Sequence, residues 1–125
     1  MVLYTRPVDP PSLPAVMLAV GTERLTAWPT QGLRRLALAE ARVLHVAWAH
    51  LSAAILQRHS PRAVLCPLLG PEFDAVEMAE RLAEAQYRGL LLVVPQMPLP
   101  DPRLIRQEIG RAGARRFGVE LLPPV

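Results

Sequence analysis

The chain has 125 residues, about half of them apolar and a fifth charged, with a formal net charge of +3; these are the length and composition of one soluble globular domain that buries a core without staples. A single cysteine, Cys66, excludes an internal disulfide and a four-cysteine zinc site. Apolar runs fall short of the roughly 18 residues of a membrane span, and the N-terminus lacks a basic start followed by an apolar block, so neither a membrane helix nor a signal peptide is expected and the expected location is the cytoplasm.

Residues 1–14 hold four prolines and little periodicity, which predicts an extended leader ahead of a domain spanning 15–125. The run Ala-Val-Met-Leu-Ala-Val at 15–20, stopped by Gly21, predicts a buried strand. Thr30 is the expected cap of a helix carrying Leu33, Leu36 and Ala37. Residues 42–49 alternate and are β-rich, which predicts a second strand at a sheet edge. A short helix with Leu51, Ala54 and Ile55 follows and ends at Ser60-Pro61. Residues 63–68 form the expected third strand, and burial there makes the Cys66 thiol a small inert hydrophobe.

Asp74 and Glu77 have the spacing of a capping box. The helix they open is expected to bury Val76, Ala79, Leu82, Ala83 and Tyr87, with Glu77 and Arg81 as an i,i+4 pair on its wet side. After Gly89, residues 90–94 are apolar throughout and predict a central strand. A proline-rich loop leads to Asp101-Pro102, a cap followed by proline at the first helical position. Leu104, Ile105, Ile109 and Ala112 are the expected buried face, and residues 119–122 a fifth strand. Alternating strands and helices with short connections require a doubly wound parallel α/β sheet with right-handed crossovers.

One segment carries a family signature. Ser60-Pro61, the apolar strand to Pro67, then Leu68-Leu69-Gly70-Pro71 and the helix start at Asp74 resemble the third strand, loop and third helix of response-regulator receiver domains of the CheY type. The resemblance implies a flavodoxin-like five-stranded sheet of order 2-1-3-4-5, with the last helix of the family missing. It also implies a set of departures. Pro67 stands at the phosphoacceptor aspartate, and proline has no nucleophile. After the first strand the acidic pair that holds magnesium is reduced to Val20-Gly21-Thr22-Glu23, a poor cation site. Pro95 replaces the switch hydroxyl. The expectation is a degenerate receiver without conventional phosphotransfer, no catalytic residue, no metal and no cofactor.

Without a fifth helix, strands four and five would lack cover on one face. A protein partner, most simply a second copy of the chain, is therefore expected on Leu90, Leu92, Val94, Met97, Leu99 and Leu121. The alternative is a small-molecule binder or enzyme using the crevice at Gly21, Thr22, Glu23, Leu69, Gly70 and Pro71, with Pro67 at its floor. His45, His50 and His59 lack metal-ligand spacing, no serine sits in a nucleophile elbow, and no glycine-rich phosphate loop is present. All 14 basic residues are arginine, but they are scattered along the chain with acids between them, so nucleic acid is not an expected partner.

Overall fold

The structure, a computed structural model, describes residues 14–123; the leader predicted for residues 1–14 lies outside them except for Pro14. Five strands form one parallel sheet: β1 Val16–Ala19, β2 Arg42–His45, β3 Ala63–Pro67, β4 Leu90–Val94 and β5 Gly118–Leu121, in the order β2-β1-β3-β4-β5. The helices are α1 Thr30–Arg35, α2 Ala53–His59, α3 Ala75–Glu84 and α4 Pro102–Ala112, with short 3-10 turns at Thr22–Arg24 and Trp48–His50. None of the helices among the described residues is long and apolar enough to cross a membrane.

Strand residues alternate between two cores, as the period-2 geometry of a strand demands. Leu18, Val64, Cys66, Leu91 and Val93 face the core under α2, α3 and α4. Met17, Ala63, Leu65, Leu92 and Val94 face a smaller core with Leu33 of α1, Leu38 and Leu122. This corrects the expectation that Leu92 and Val94 present an open face: both are fully buried within the chain. Leu122 supplies the cover. Its N–H donates to Val93 O at 2.8 Å, continuing the ladder past β5. Its side chain then packs on Gly32 of α1, where a Cβ would lie 3.0 Å from Leu122 Cδ2. Leu90 and Leu121 are half-buried.

Helix starts follow the capping residues. Asp74 Oδ1 accepts from Glu77 N at 2.8 Å and Glu77 Oε1 accepts from Asp74 N at 3.2 Å, completing the box. Asp101 caps α4 through Leu104 N. Ser52, which the sequence reading passed over, caps α2 by accepting from Ile55 N at 3.3 Å. At α1, Pro29 occupies the cap position and Thr30 is already helical.

Two helical phases differ from expectation. In α3 the buried face is Ala75, Met78, Ala79 and Leu82, and Val76 is 37 % exposed. In α4 Ile109 is buried, Ile105 and Ala112 are half-buried, and Leu104 is 48 % exposed. Apolar residues one position off the stripe fit the same sequence pattern, and packing against the sheet selects the phase. β2 is also shorter than predicted and lies at the sheet edge, because the chain turns away at His45 into the 3-10 turn.

Candidate functional site at the crest of the sheet

In an open parallel sheet, crevices form beyond the carboxyl ends of the strands, where strand order reverses. Here that point lies between β1 and β3. Their pairing ends at Ala19–Leu65, while β3 and β4 remain paired through Pro67–Val94. Pro67 explains the difference. Alternation along β3 aims its nitrogen toward β1, and proline has no N–H to extend that ladder beyond the bond from Val20 N to Leu65 O. Leu68, facing β4, still donates to Val94 O at 2.9 Å.

The gap left between β1 and β3 is filled by packing. Gly21 leaves β1 with φ +71°, a left-handed conformation that glycine adopts readily. A Cβ there would lie 2.9 Å from the Phe73 ring and 3.5 Å from Pro67 Cδ. Phe73 stacks on Trp48 with ring centroids 4.4 Å apart and planes 13° from parallel. The guanidinium of Arg81 lies over the Trp48 ring, 3.5 Å from its centroid. The same group donates to Trp48 O at 2.6 Å and to Leu51 O at 3.5 Å. Gly21, Phe73, Trp48 and Arg81 thus form one continuous layer over the crest. Arg81 is not the partner of Glu77 that its spacing suggests, because Glu77 is held in the capping box.

The crevice residues named from the sequence separate into two groups. Gly21 and Glu23 line a pocket of about 200 Å3 with His45, Trp48 and Glu72. Thr22 is buried beside them. Leu69, Gly70 and Pro71 belong to the neighbouring loop, which is held to the β4–α4 loop by Gln96. The Gln96 side chain accepts from Leu69 N at 3.5 Å through Oε1 and donates to Leu69 O through Nε2, imitating one more rung of sheet. This clip joins two loops that each carry an exposed apolar side chain, Leu69 at 59 % exposure and Met97 at 61 %. Leu99 is half-buried nearby in the chain.

No group of three or more histidine, cysteine or acidic side chains among the described residues has the geometry to hold a metal ion. His45 is exposed and packs against Trp28 at 6.4 Å between centroids. Cys66 is fully buried, and burial, with the charge of Asp74 adding to it, pushes its thiol well above the ordinary range. A thiolate is therefore disfavoured there.

No family model and no curated protein matches the chain. Among solved structures it is similar to the signal receiver domain of NarL from Mycobacterium tuberculosis, with a TM-score of 0.51 at 16 % identity over 85 % of this chain and 83 % of that one. The fold is that of a receiver domain. Sheet order, parallel register and the helices on both faces agree with it. Within the receiver fold Pro67 ends the central strand, its ring lying between Gly21 and Gly70. The layer of Phe73, Trp48 and Arg81 and the Gln96 clip had escaped the sequence reading. Their partners are 27 to 33 residues apart in the hydrogen bonds that define them, and no local spacing marks such pairs.

Proposed function

We propose that this receiver fold serves as a pseudo-receiver, a protein-interaction module that signals without being phosphorylated. The observation that carries the reading is Pro67 at the carboxyl end of β3. In the receiver pattern this residue is the aspartate that accepts phosphate; proline offers no oxygen nucleophile. The ground beside it is packed with Gly21 and Phe73 rather than opened for a metal and a phosphoryl group. Incubation with acetyl phosphate and magnesium is expected to leave the intact mass unchanged. A phosphoryl adduct on the native protein would end the proposal.

The working surface in this reading is the apolar ground around Leu69, Met97 and Leu99, with Leu121, half-buried on edge strand β5, as a further contact. Leu92 and Val94 lie beneath it and contribute to folding. The proposed partner is a second copy of the chain, since exposed large apolar side chains brought together favour association. Light scattering is expected to give a dimer for the wild type and a monomer for Leu69→Asp/Met97→Asp at an unchanged melting temperature. A monomeric wild type overturns the dimer. The crevice at Gly21 and Glu23 supports a ligand-binding reading less well, because its volume is below the roughly 300 Å3 at which small-molecule pockets begin.

A further inference from the structure

The fold gathers what the sequence scatters. A parallel α/β chain brings every strand start and every helix end to the same face of the molecule, here called the base, opposite the crest. Arg62 immediately precedes β3, Arg88 lies two residues before β4, and Arg115 and Arg116 lead into β5. Leu90 N donates to Arg62 O at 3.0 Å, and a Cβ on Gly89 would lie 2.8 Å from the same oxygen, so Arg62 and the Arg88–Gly89 turn adjoin. Arg88 and Arg116 line one polar groove of about 550 Å3 with Gln86 and Tyr87. Past Arg88 it continues into a second groove of about 340 Å3 that includes Gln57 and Ser60 at the end of α2.

These arginines are exposed, and none has an acidic partner among the described residues. Glu40 and Glu84 lie at this end and Glu108 in the C-terminal half of α4; Glu23, Glu72, Asp74, Glu77 and Asp101 sit toward the crest, and Glu80 and Glu120 lie within α3 and β5. Arginines in the last turns of α1, α2 and α4 are accounted for by the negative ends of the helix dipoles. Arg62, Arg88 and Arg116 lie outside those last turns, in the connections that lead into β3, β4 and β5.

We infer that the base groove binds the phosphodiester backbone of a nucleic acid without reading its sequence. Arg88 and Arg116 line the groove, and Arg62, Arg88 and Arg116 precede three neighbouring strands, β3, β4 and β5, which lie about 4.8 Å apart. Guanidinium forks match phosphate oxygens two at a time. Protein partners favour interface centres depleted of charge, whereas nucleic-acid interfaces are polar and strongly basic, as this groove is. Tyr87 is buried with its hydroxyl donating to Leu90 O at 2.7 Å, so it provides no exposed ring for stacking bases. Backbone charge is then the source of affinity. The base lies at the opposite end of the sheet from Pro67 and Met97, and the proposal stands or falls separately from the pseudo-receiver reading.

Fluorescence anisotropy with a labelled oligothymidylate tests it on the full chain. Wild-type affinity is expected to fall linearly on a log–log scale between about 50 and 200 mM salt. The variant Arg62→Gln/Arg88→Gln/Arg116→Gln is expected to bind at least tenfold more weakly at the low end, with a salt slope shallower by about 2, from roughly 0.7 per lost single-strand phosphate contact. Arg24→Gln/Arg103→Gln/Arg106→Gln removes the same charge away from the base and is expected to keep the wild-type slope. Amide shift mapping on the wild type needs no variant and is expected to move Gln86 to Gly89 and Arg116. Absence of binding at low salt, equal losses in both triple variants, shifts confined to the crest, or equally tight binding of polyglutamate would each overturn the assignment.

Discussion

Pro67 shows how one residue shapes both chemistry and geometry. Lacking an N–H, it ends the β1–β3 ladder, and its side chain carries no nucleophile that could accept phosphate. Gly21 is its counterpart across the gap. A Gly21→Ala substitution adds a left-handed alanine and a 2.9 Å approach to Phe73. The expected cost is about 1–3 kcal/mol in urea denaturation, and a neutral result would mean that Phe73 moves freely. Two buried groups, Cys66 and Tyr87, are expected to set the alkaline dependence of stability. Burial raises the Cys66 thiol from 9.0 and the Tyr87 hydroxyl from 10.0. Above those ordinary values the unfolded chain releases protons that the folded chain retains, so stability falls as pH rises. Stability is expected to be insensitive to these groups below about pH 8 and to decline above pH 9 to 10. The double variant Cys66→Ala/Tyr87→Phe should flatten that decline; an unchanged slope would place its origin elsewhere.

At the scale of elements, loop connections are set by side chains that imitate backbone. The two Gln96 hydrogen bonds to Leu69 extend the β3–β4 edge by one rung. Gln96→Ala is expected to cost about 1–2 kcal/mol and to speed hydrogen exchange at the Leu69 amide, while the Leu68 amide, bonded to Val94 O, stays protected. Equal exchange in the two proteins would remove the clip from the account. Arg81 ties α3 to the turn at 48–51 through its ring contact and two carbonyls. Arg81→Lys keeps the charge but loses the planar group over Trp48, with an expected loss of about 1 kcal/mol in thermal unfolding. The helix starts at Asp74 and Asp101 were legible because a cap acts within four residues. The phases of α3 and α4 were less so: Val76 and Leu104 satisfy an apolar period yet face away from the sheet.

For the whole molecule, the second core is the smaller one. Among the described residues α1 is the helix on that face, and Leu122 completes its cover against Gly32. Leu122→Ala is expected to cost about 2–4 kcal/mol and to increase binding of a hydrophobic dye, because Leu92 and Val94 lose their cover. A loss below about 0.5 kcal/mol, within the usual range of a surface change, would show that Leu122 adds little to that core. The axis of the strands also separates charge, with the acidic residues weighted toward the crest and unpaired arginines at the base.

The α/β layering was readable because apolar runs, prolines and caps act locally and crossover rules leave few ways to connect them, whereas the strand order followed from the resemblance to receiver domains. That residue 67 is a proline, with no side-chain nucleophile, was readable without the fold, because side-chain chemistry does not depend on folding. What covers Leu92, where Arg81 turns, and that Arg88 and Arg116 share one groove were settled by folding. Periodicity identifies an apolar or charged face, while the neighbour of that face comes from distant parts of the chain.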